Sequence, residues 1–318
     1  MRRALCVGID EYRSRPLHGC VSDANRMSEV LARHQDSSPN FDCKALVAPS
    51  GTPGAVTRPI LRKRLRELFA YPADVALFHF SGHGTVNSLD GYLVTQDAEH
   101  HDEGIAMTEV LSLANGSKTN EVVMMLDCCF SGQVGNPPVV DASKTILREG
   151  VTILTGSRND QPSVESAGGG VFTSLVVDAL DGGAANLLGG VSAPAVYTFV
   201  EAALGAWDQR PMFKANVTTA ADLRRCTPPI KREILRRLPA LFPLPAEDLQ
   251  LDPSFERTQG HGQPTKEAIF DDLQALNRVH LVVPRGASHM YDAALQSQGC
   301  RLTPSGRYYW RLANSARI

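Results

Sequence analysis

The sequence predicts an α/β protein: a three-layer α/β/α sandwich with a mostly parallel, roughly six-stranded sheet, followed by a small C-terminal α+β module. Three observations support this prediction. Short, continuously apolar runs recur through residues 1–217, and amphipathic helical patterns separate them. Strands that are apolar throughout are typical of parallel sheets covered by helices on both faces. Beyond residue 217 the chain becomes basic and rich in proline, and a compact pattern resumes at residue 265.

The strands of the sheet are predicted from apolar runs that polar or turn-forming residues bound. These runs are 4–9, 43–47, 75–80, 122–126 and 151–154. Helical patterns lie between or after them, at 24–31, 57–69, 108–113, 172–180 and 193–204. Ser22 and Asp23 are residue types that cap helix starts, and Thr57 with Pro59 marks the start of the next helix.

The C-terminal third divides into a predicted linker and a predicted module. Residues 218–264 combine clustered arginines with repeated prolines, so we expect a linker there. Residues 265–318 show helix, strand, helix and helix patterns at 266–276, 279–283, 288–296 and from 304, a spacing compatible with a winged-helix-like module. The basic stretch 224–237 is more typical of a solvated helix face than of a nucleic-acid contact.

Composition excludes several classes of protein. The chain has 318 residues, of which 43% are hydrophobic and 21% charged, with a net charge of −2. These values are typical of a folded globular protein and provide no protein-wide basic field for nucleic acid or membranes. The chain contains no signal-peptide pattern and no apolar run near the roughly 18–20 residues of a membrane span. We therefore expect a soluble, cytoplasmic protein.

The seven cysteines also indicate the compartment. They are Cys6, Cys20, Cys43, Cys128, Cys129, Cys226 and Cys300. Their odd number, their wide spacing and the absence of any C-x-x-C pair argue against a disulfide framework and against a zinc or thioredoxin-type site. These features favour free thiols in a reducing environment.

Two polar, glycine-bearing motifs follow predicted strands directly. The motif 81–84 contains His83, and the motif 127–132 contains Cys129, 46 residues further along the chain. Sites of parallel α/β sheets lie beyond the carboxyl ends of the strands, so the two motifs are expected to meet. An imidazole can take the proton of a thiol, and backbone N–H groups favour a thiolate. Alternation along the strand predicts that Cys128 is a core residue and that Cys129 faces the site. Taken singly, the first motif is equally compatible with a structural turn.

Five stretches together carry a resemblance to a known family. They are Cys6–Tyr12, Leu17–Ala24, Phe80–Gly84, Leu126–Gly132 and Gly170–Thr173. Over roughly residues 1–215 the sequence resembles the caspase-like cysteine peptidases of the metacaspase and bacterial caspase-homologue branch, which have the caspase–haemoglobinase fold. It has Asp-Cys-Cys-Phe-Ser-Gly where animal caspases have a glutamine-alanine-cysteine signature. The resemblance therefore implies the metacaspase type.

The resemblance implies a Cys–His dyad. Cys129 would attack the peptide carbonyl and His83 would supply the proton to the leaving amine. Backbone N–H groups of Gly84 and Cys129 would form the oxyanion hole.

The resemblance also implies an S1 pocket for arginine or lysine. The pocket acids of the family fall on Asp23 and Asp127, and its neighbouring pocket positions fall on Cys20 and Ser81. Two carboxylates in a partly desolvated cleft suit a guanidinium and repel an acidic side chain. For Asp23, a helix N-cap is the alternative or additional role.

The resemblance also bears on maturation and on cofactors. Relatives are often cut between the fourth and fifth strands, which makes cleavage after Lys144 or Arg148 a hypothesis and an uncut loop its equal alternative. We predict no cofactor. Some metacaspases use calcium, but Asp90, Asp97 and Asp102 do not identify an aspartate cluster, and 99–103 lacks metal-ligand spacing.

The expected partners are protein substrates with a basic P1 residue and a regulatory or activating protein, with neither nucleic acid nor membrane. By resemblance, the protein is a regulated effector in bacterial defence or cell-death signalling. The rivals are a catalytically silent scaffold of the same fold and a peptidase effector attached to a C-terminal module that binds nucleic acid or a partner.

Overall fold

The computed structural model describes residues 1–87, 90–99, 102–128, 147–156, 165–166, 169–204, 211–258, 260 and 262–318. The chain divides into two compact units, Met1–Thr227 and Pro228–Ile318. Within the described residues, none of the helices has the length and apolar character required to cross a membrane.

The first unit alternates strands and helices from its first residues. In chain order its elements are β1 (Arg2–Ile9), α1 (Cys20–Ala32), β2 (Asp42–Ala48), α2 (Arg58–Phe69), β3 (Val75–Ser81), β4 (Gly84–Val86), β5 (Gly91–Glu99), β6 (Asp102–Ala106), α3 (Met107–Gly116), β7 (Glu121–Asp127), β8 (Val151–Thr155), β9 (Glu165–Ser166), β10 (Gly169–Gly170), α4 (Val171–Asp178), β11 (Gly190–Ser192), α5 (Ala193–Ala203), β12 (Met212–Asn216) and β13 (Asp222–Arg225). A π-helical turn, Ala179–Gly183, extends α4.

Six strands form the central sheet, in the order β12-β8-β7-β3-β1-β2. The five strands β2, β1, β3, β7 and β8 are parallel, and β12 pairs antiparallel with β8 at one edge. The predicted mostly parallel, six-stranded sheet is confirmed. Each strand predicted from an apolar run is present and extends one or two residues beyond the run.

Two hydrophobic clusters cover the two faces of this sheet. Side chains alternate between the faces, so Phe78 and Phe80 belong to one cluster while Leu77 belongs to the other. The first cluster includes side chains of α2 and α3, and the second includes side chains of α1, α4 and α5. Strands β3, β7 and β8 are buried along their whole length. The first unit is therefore the three-layer α/β/α sandwich that the sequence predicts.

The first helix begins earlier than the helical pattern indicates. Its N-cap position is Gly19, whose lack of a side chain leaves the first N–H groups to other acceptors. The Asp10 carboxylate, directly after β1, accepts hydrogen bonds from the N–H groups of Cys20 at 2.8 Å and Val21 at 3.3 Å. Asp23 therefore lies inside the first turn, and the alternative in which it caps the helix is wrong.

A small antiparallel sheet, β4-β5-β6, separates β3 from α3 and was not predicted. Two carboxylates, one directly before β5 and one within it, cap helices. Asp90 accepts a hydrogen bond from the N–H of Thr108 in α3 at 3.1 Å, and Asp97 accepts one from the N–H of Arg58 in α2 at 2.9 Å. These carboxylates stabilise the helix starts.

The second unit contains both helices and a sheet. Its elements are α6 (Arg232–Arg236), α7 (Leu238–Leu241), β14 (Leu249–Gln250), α8 (Pro264–Arg278), β15 (Val282–Arg285), α9 (Met290–Leu295), β16 (Gly299–Leu302) and α10 (Pro304–Asn314). The three strands form an antiparallel sheet in the order β14-β16-β15. The indole N–H of Trp310 donates to the carbonyl of Phe242 at 2.7 Å and so joins α10 to the end of α7.

The range 218–264, for which a linker is expected, contains regular elements of both units. Strand β13 pairs with β11 in the first unit, while α6, α7 and β14 belong to the second. The strand expected at 279–283 begins at Val282 instead, because α8 continues to Arg278 and His280 has a left-handed φ of 59° in the following turn.

Gly8 provides a test of the packing between β1 and α1. A Cβ at this position would lie 2.1 Å from the carbonyl oxygen of Cys20 and 2.9 Å from the Cβ of Ala24. We expect Gly8→Ala to lower the free energy of unfolding by about 1–3 kcal/mol, because the buried strand and the helix must separate. Thermal or urea unfolding measures the change.

The matched control is Gly116→Ala at the end of α3, where an added Cβ meets no atom within 4 Å. This variant should remain within about 0.5 kcal/mol of the wild type. Equal stability of the two alanine variants would contradict the close approach of β1 to α1.

Candidate active site

The candidate site begins where two neighbouring parallel strands end. Ser81 is the last residue of β3 and Asp127 the last residue of β7, and the two are paired in register. The N–H of Gly82 donates to the carbonyl of Asp127 at 3.2 Å, which keeps the two chains together one residue further. Both side chains point to the face of the sheet that α1 and α4 cover, because they alternate with Phe80 and Leu126 of the opposite cluster.

Asp23 connects this strand end to the first helix. Its carboxylate is fully buried and accepts hydrogen bonds from the Ser81 hydroxyl at 2.9 Å and from the N–H of Gly170 at 3.0 Å. Its other oxygen accepts a bond from the guanidinium of Arg26 at 2.7 Å. The structure thus joins Asp23 and Ser81, and adds Arg26 and Gly170 as partners that the sequence did not indicate.

Asp127 is the second acid of the site. Its Oδ2 accepts hydrogen bonds from the Thr173 hydroxyl at 2.7 Å and from the Thr173 N–H at 3.1 Å. Burial raises the pKa of Asp127 to about 6. The hydrogen bonds from Thr173 act to lower this pKa, and the negative charge of Asp23 acts to raise it. At neutral pH the Asp127 carboxyl is therefore mostly ionised, because its pKa lies only slightly below the pH.

Cys20 lies beside these acids and is buried. Burial raises the pKa of its thiol far above the ordinary value, with the charges of Asp10, Asp23 and Asp127 adding to the effect. The thiol is therefore protonated at neutral pH, which fits a residue of the pocket wall better than a nucleophile. We use the name acid cluster for Cys20, Asp23, Ser81 and Asp127.

Two glycines lie directly against the acid cluster. A Cβ at Gly170 would come within 2.2 Å of Asp127 Oδ2, and one at Gly169 within 2.4 Å of Asp23 Oδ1. The backbone at these positions leaves no room for a side chain beside the two carboxylates. The Gly170–Thr173 stretch therefore contributes a small residue, a backbone donor and a hydroxyl to the site.

His79 is a site residue that was not identified from the sequence. It is fully buried on β3, and its Nε2 lies 3.2 Å from the Thr173 hydroxyl oxygen. Burial lowers the pKa of His79 to about 3, so the ring is neutral. Because the Thr173 hydroxyl donates to Asp127, it accepts from Nε2–H, and the three groups form one hydrogen-bonded chain. A histidine inside an otherwise apolar strand was the available signal.

His83 lies two residues beyond the end of β3 and packs against Tyr12. Its backbone N–H donates to the Tyr12 hydroxyl at 3.0 Å, and the two rings are 4.6 Å apart. The Tyr12 hydroxyl in turn donates to the carbonyl of Val94 at 3.3 Å. His83 Nε2 lies 2.6 Å from the carbonyl oxygen of Arg15, so this nitrogen carries a proton and donates it. The ring borders a cleft of about 370 Å³ that Tyr12, Arg15, Thr85 and Glu103 help to line.

The remaining predicted residues fall in different places. Cys129 and Lys144 lie outside the described residues. Cys128 is 1% exposed and packs in the cluster that includes Leu126, as alternation predicts. Gly84 begins β4 directly after His83.

Arg148, the other predicted cleavage position, precedes β8 and makes several contacts with the chain. Its guanidinium donates to the carbonyl of Thr119 at 2.7 Å, and its backbone N–H donates to the side chain of Asn115 at 3.1 Å. Cleavage after Arg148 would have to break these contacts. No group of three or more His, Cys, Asp or Glu side chains suited to hold a metal ion occurs in the described part of the chain.

Asp127 yields a stability prediction with a definite sign. Its pKa is about 6 in the folded protein and about 3.9 in an unfolded chain, so folding favours the protonated form. The stability that this group contributes is present below about pH 4 and is lost as the pH rises through about 6. An amide at this position does not titrate. We therefore expect Asp127→Asn to be more stable than wild type at pH 7.5, by up to about 3 kcal/mol, and to lose this advantage near pH 4.

Urea unfolding at several pH values measures the effect. The control is Asp36→Asn, because Asp36 is exposed and two hydrogen bonds from Ser38 lower its pKa. This control should not stabilise the protein at pH 7.5. A constant difference between Asp127→Asn and wild type from pH 4 to pH 7.5 would refute the prediction.

The sequence of the chain matches a known protein family and several of its members. The family model described as the caspase domain matches residues 1–221. Metacaspase-3 of Trypanosoma cruzi is 30% identical over 167 residues, covering 47% of this chain and 45% of that protein. Metacaspase-3 of Arabidopsis thaliana is 30% identical over 156 residues, covering 44% and 42% of the two chains. The chain thus spans less than half the length of these relatives.

Solved structures agree on the fold. The crystal structure of a protein from Geobacter sulfurreducens superposes with a TM-score of 0.54 at 18% identity, over 71% of this chain and 99% of the other. Caspase-1 from Spodoptera frugiperda superposes with a TM-score of 0.52 at 12% identity, over 71% and 90%. Because the family model covers well over half of its length, the chain belongs to the caspase family, and residues 1–221 are its caspase-type peptidase domain.

Proposed function

We propose that this chain is a cysteine endopeptidase that cleaves proteins after arginine or lysine. The observation that carries the proposal is the buried pair of carboxylates, Asp23 and Asp127, assembled at the end of β7. Cys129 follows Asp127 by two residues, a span of at most about 7 Å along the chain. A basic side chain that reaches the acids therefore brings its own backbone carbonyl to the neighbourhood of Cys129.

The proposed reaction has two steps. The Cys129 thiolate attacks the carbonyl carbon, and backbone N–H groups of Gly84 and Cys129 hold the developing oxyanion. The peptide C–N bond then breaks, the leaving amine takes a proton from His83, and a thioester remains. Water hydrolyses the thioester, which releases the carboxylate product and restores the thiol.

The geometry around His83 supports its role in proton transfer. The Arg15 carbonyl accepts the Nε2 proton at 2.6 Å, which leaves Nδ1 as the nitrogen that exchanges a proton during the reaction. The Tyr12 hydroxyl accepts the backbone N–H at 3.0 Å, and the Tyr12 ring packs against the imidazole. Tyr12 is a positioning residue for His83.

The specificity follows from charge. A guanidinium or ammonium group at P1 would balance buried negative charge, whereas an aspartate would add to it without a counter-ion. The Asp127 carboxylate must be ionised to contribute to binding. Cleavage after basic residues should therefore weaken as the pH falls through about 6.

We propose in addition that the protein is a cytoplasmic effector, matured or released by a regulatory partner and active in defence or cell-death signalling. The burial of the acid cluster supports regulation: Asp23 is 0%, Ser81 2%, Cys20 6% and Asp127 7% exposed. The backbone at Gly169 and Gly170 lies against both carboxylates, so a partner that shifts this backbone would widen access to them. Maturation by cleavage after Lys144 or Arg148 remains part of this proposal.

A P1-scanning panel of fluorogenic peptides tests the central proposal. Wild type should cleave after arginine or lysine and not after aspartate, and Cys129→Ala should lose activity by at least about 10³-fold. Cys128→Ala is the matched control and should retain most of its activity, because Cys128 is a core residue. Cleavage after aspartate, or none at all, would overturn the proposal, and no cleavage with intact folding would favour the catalytically silent scaffold.

Tyr12→Phe tests the positioning of His83. The substitution keeps the ring and removes the hydroxyl that accepts the His83 N–H and donates to Val94. Without these bonds the partly buried His83 backbone loses its anchor, so kcat should fall about tenfold or more, while KM for basic peptides stays within about twofold. Tyr71→Phe, at a tyrosine that is 67% exposed, is the control. An unchanged kcat would show that Tyr12 does not position the imidazole.

A further inference from the structure

Arg26 places a cationic group of the protein itself on the acid cluster. It lies on α1, three residues after Asp23, and its guanidinium donates to Asp23 Oδ1 at 2.7 Å and to the Ser174 hydroxyl oxygen at 3.1 Å. The Ser174 hydroxyl donates to the carbonyl of Gly170 at 2.9 Å. Arg26 is therefore tied both to the acid and, through Ser174, to the backbone that lies against it.

This ion pair differs from ordinary pairs on a helix surface. The chain offers a comparison in Arg64–Glu67 on α2, which has the same i,i+3 spacing and a similar length of 2.9 Å. There both side chains are about 40% exposed, at 43% and 39%, whereas in the Arg26–Asp23 pair the arginine is 35% exposed and the acid only 1%. Solvent screens the second pair less than the first because its acid is buried, so Arg26 contributes to the electrostatics of the cluster.

The charges of the cluster do not balance. Asp23 and Asp127 contribute two negative charges and Arg26 one positive charge. The proximity of Asp23 raises the pKa of Asp127 and that of Arg26 lowers it. Among these three described groups two carboxylates face one guanidinium, and Asp10 adds a further acid nearby, so negative charge is in excess and a cationic ligand would offset it.

Asp23 also has little remaining capacity to accept hydrogen bonds. Its Oδ2 accepts from Ser81 and Gly170, and its Oδ1 accepts from Arg26. A carboxylate offers about four acceptor positions in all. A cation arriving from a substrate must therefore share Oδ1 with Arg26 or displace it.

We propose that Arg26 is a specificity-determining residue that competes with the basic P1 side chain for Asp23 and offsets part of the negative charge of the pocket. This inference rests on the proposed function, because it deepens the assignment of Asp23 and Asp127 to the S1 pocket. Arg26 thereby restrains the affinity of the pocket for a guanidinium.

The experiment measures binding of benzamidine, a small cationic mimic of an arginine side chain, to the full chain by calorimetry. The measurement is made at about pH 8.5, above the raised pKa of Asp127, and at low salt, where charge interactions are least screened. Arg26→Gln should bind benzamidine about fivefold or more tightly than wild type, because one competing charge is gone. Arg26→Lys keeps the charge and should stay within about twofold of wild type. Arg64→Gln breaks the matched surface pair and should leave the affinity unchanged.

Equal or weaker binding by Arg26→Gln would overturn the inference, and so would the absence of benzamidine binding to both wild type and Arg26→Gln. Melting temperatures verify that each variant is folded, and Arg26→Met provides a second neutral side chain if the glutamine variant is not. Benzamidine binding does not need the nucleophile, so the series is repeated in the Cys129→Ala background. Tighter benzamidine binding by Arg26→Gln, with no peptide cleavage by the chain that has Cys129, would contradict the proposed function alone. Cleavage after arginine, with the same benzamidine affinity in Arg26→Gln and wild type, would contradict this inference alone.

Discussion

The hydrogen bonds around the buried carboxylate of Asp23 hold the candidate site together. This one group accepts bonds from Ser81 at the end of β3, from Gly170 before α4 and from Arg26 on its own helix. A buried charge costs several kcal/mol unless its partners are well placed, and each bond to a charged group contributes about 1.5–3 kcal/mol. The carboxylate therefore fixes α1, β3 and the start of α4 relative to one another at the edge of the sheet.

The parallel sheet explains why the second acid lies so close to the first. Ser81 and Asp127 are paired in register on neighbouring strands, and their side chains share one face. The alternation that places Asp127 beside Thr173 directs Cys128 to the opposite cluster. One strand end thus supplies a buried acid to one face and a core residue to the other, without a change in backbone direction.

Much of the fold was predictable from the sequence because its strands are buried on both faces and read as unbroken apolar runs. The small sheet β4-β5-β6 was not, since its strands follow a glycine turn and mix polar with apolar residues. The convergence of Asp23 with Ser81 was implied by resemblance, and the structure brings the two together. The start of α1 has no local signal, because the carboxylate that caps it comes from Asp10, ten residues before Cys20.

The contacts that could not be predicted are those between side chains far apart along the chain. Thr173 is 94 residues from His79 and 46 from Asp127, and Gly170 is 147 residues from Asp23. No local pattern encodes these distances. The spacing of Arg26 three residues after Asp23 was visible, but such pairs are common on helix surfaces, and only the burial of the acid distinguishes this one.

Burial and mutual repulsion make the acid cluster costly to the free protein. Two carboxylates close together in a poorly hydrated site repel each other, and the raised pKa of Asp127 reflects chiefly its burial and then the nearby charge of Asp23. Arg26 relieves it in part. If a substrate side chain enters this site as proposed, an anion would add to the negative charge of Asp23 and Asp127, whereas a cation would offset it. Under that proposal, the cost of burying the acids in the free protein and a preference for a basic side chain would have one electrostatic origin.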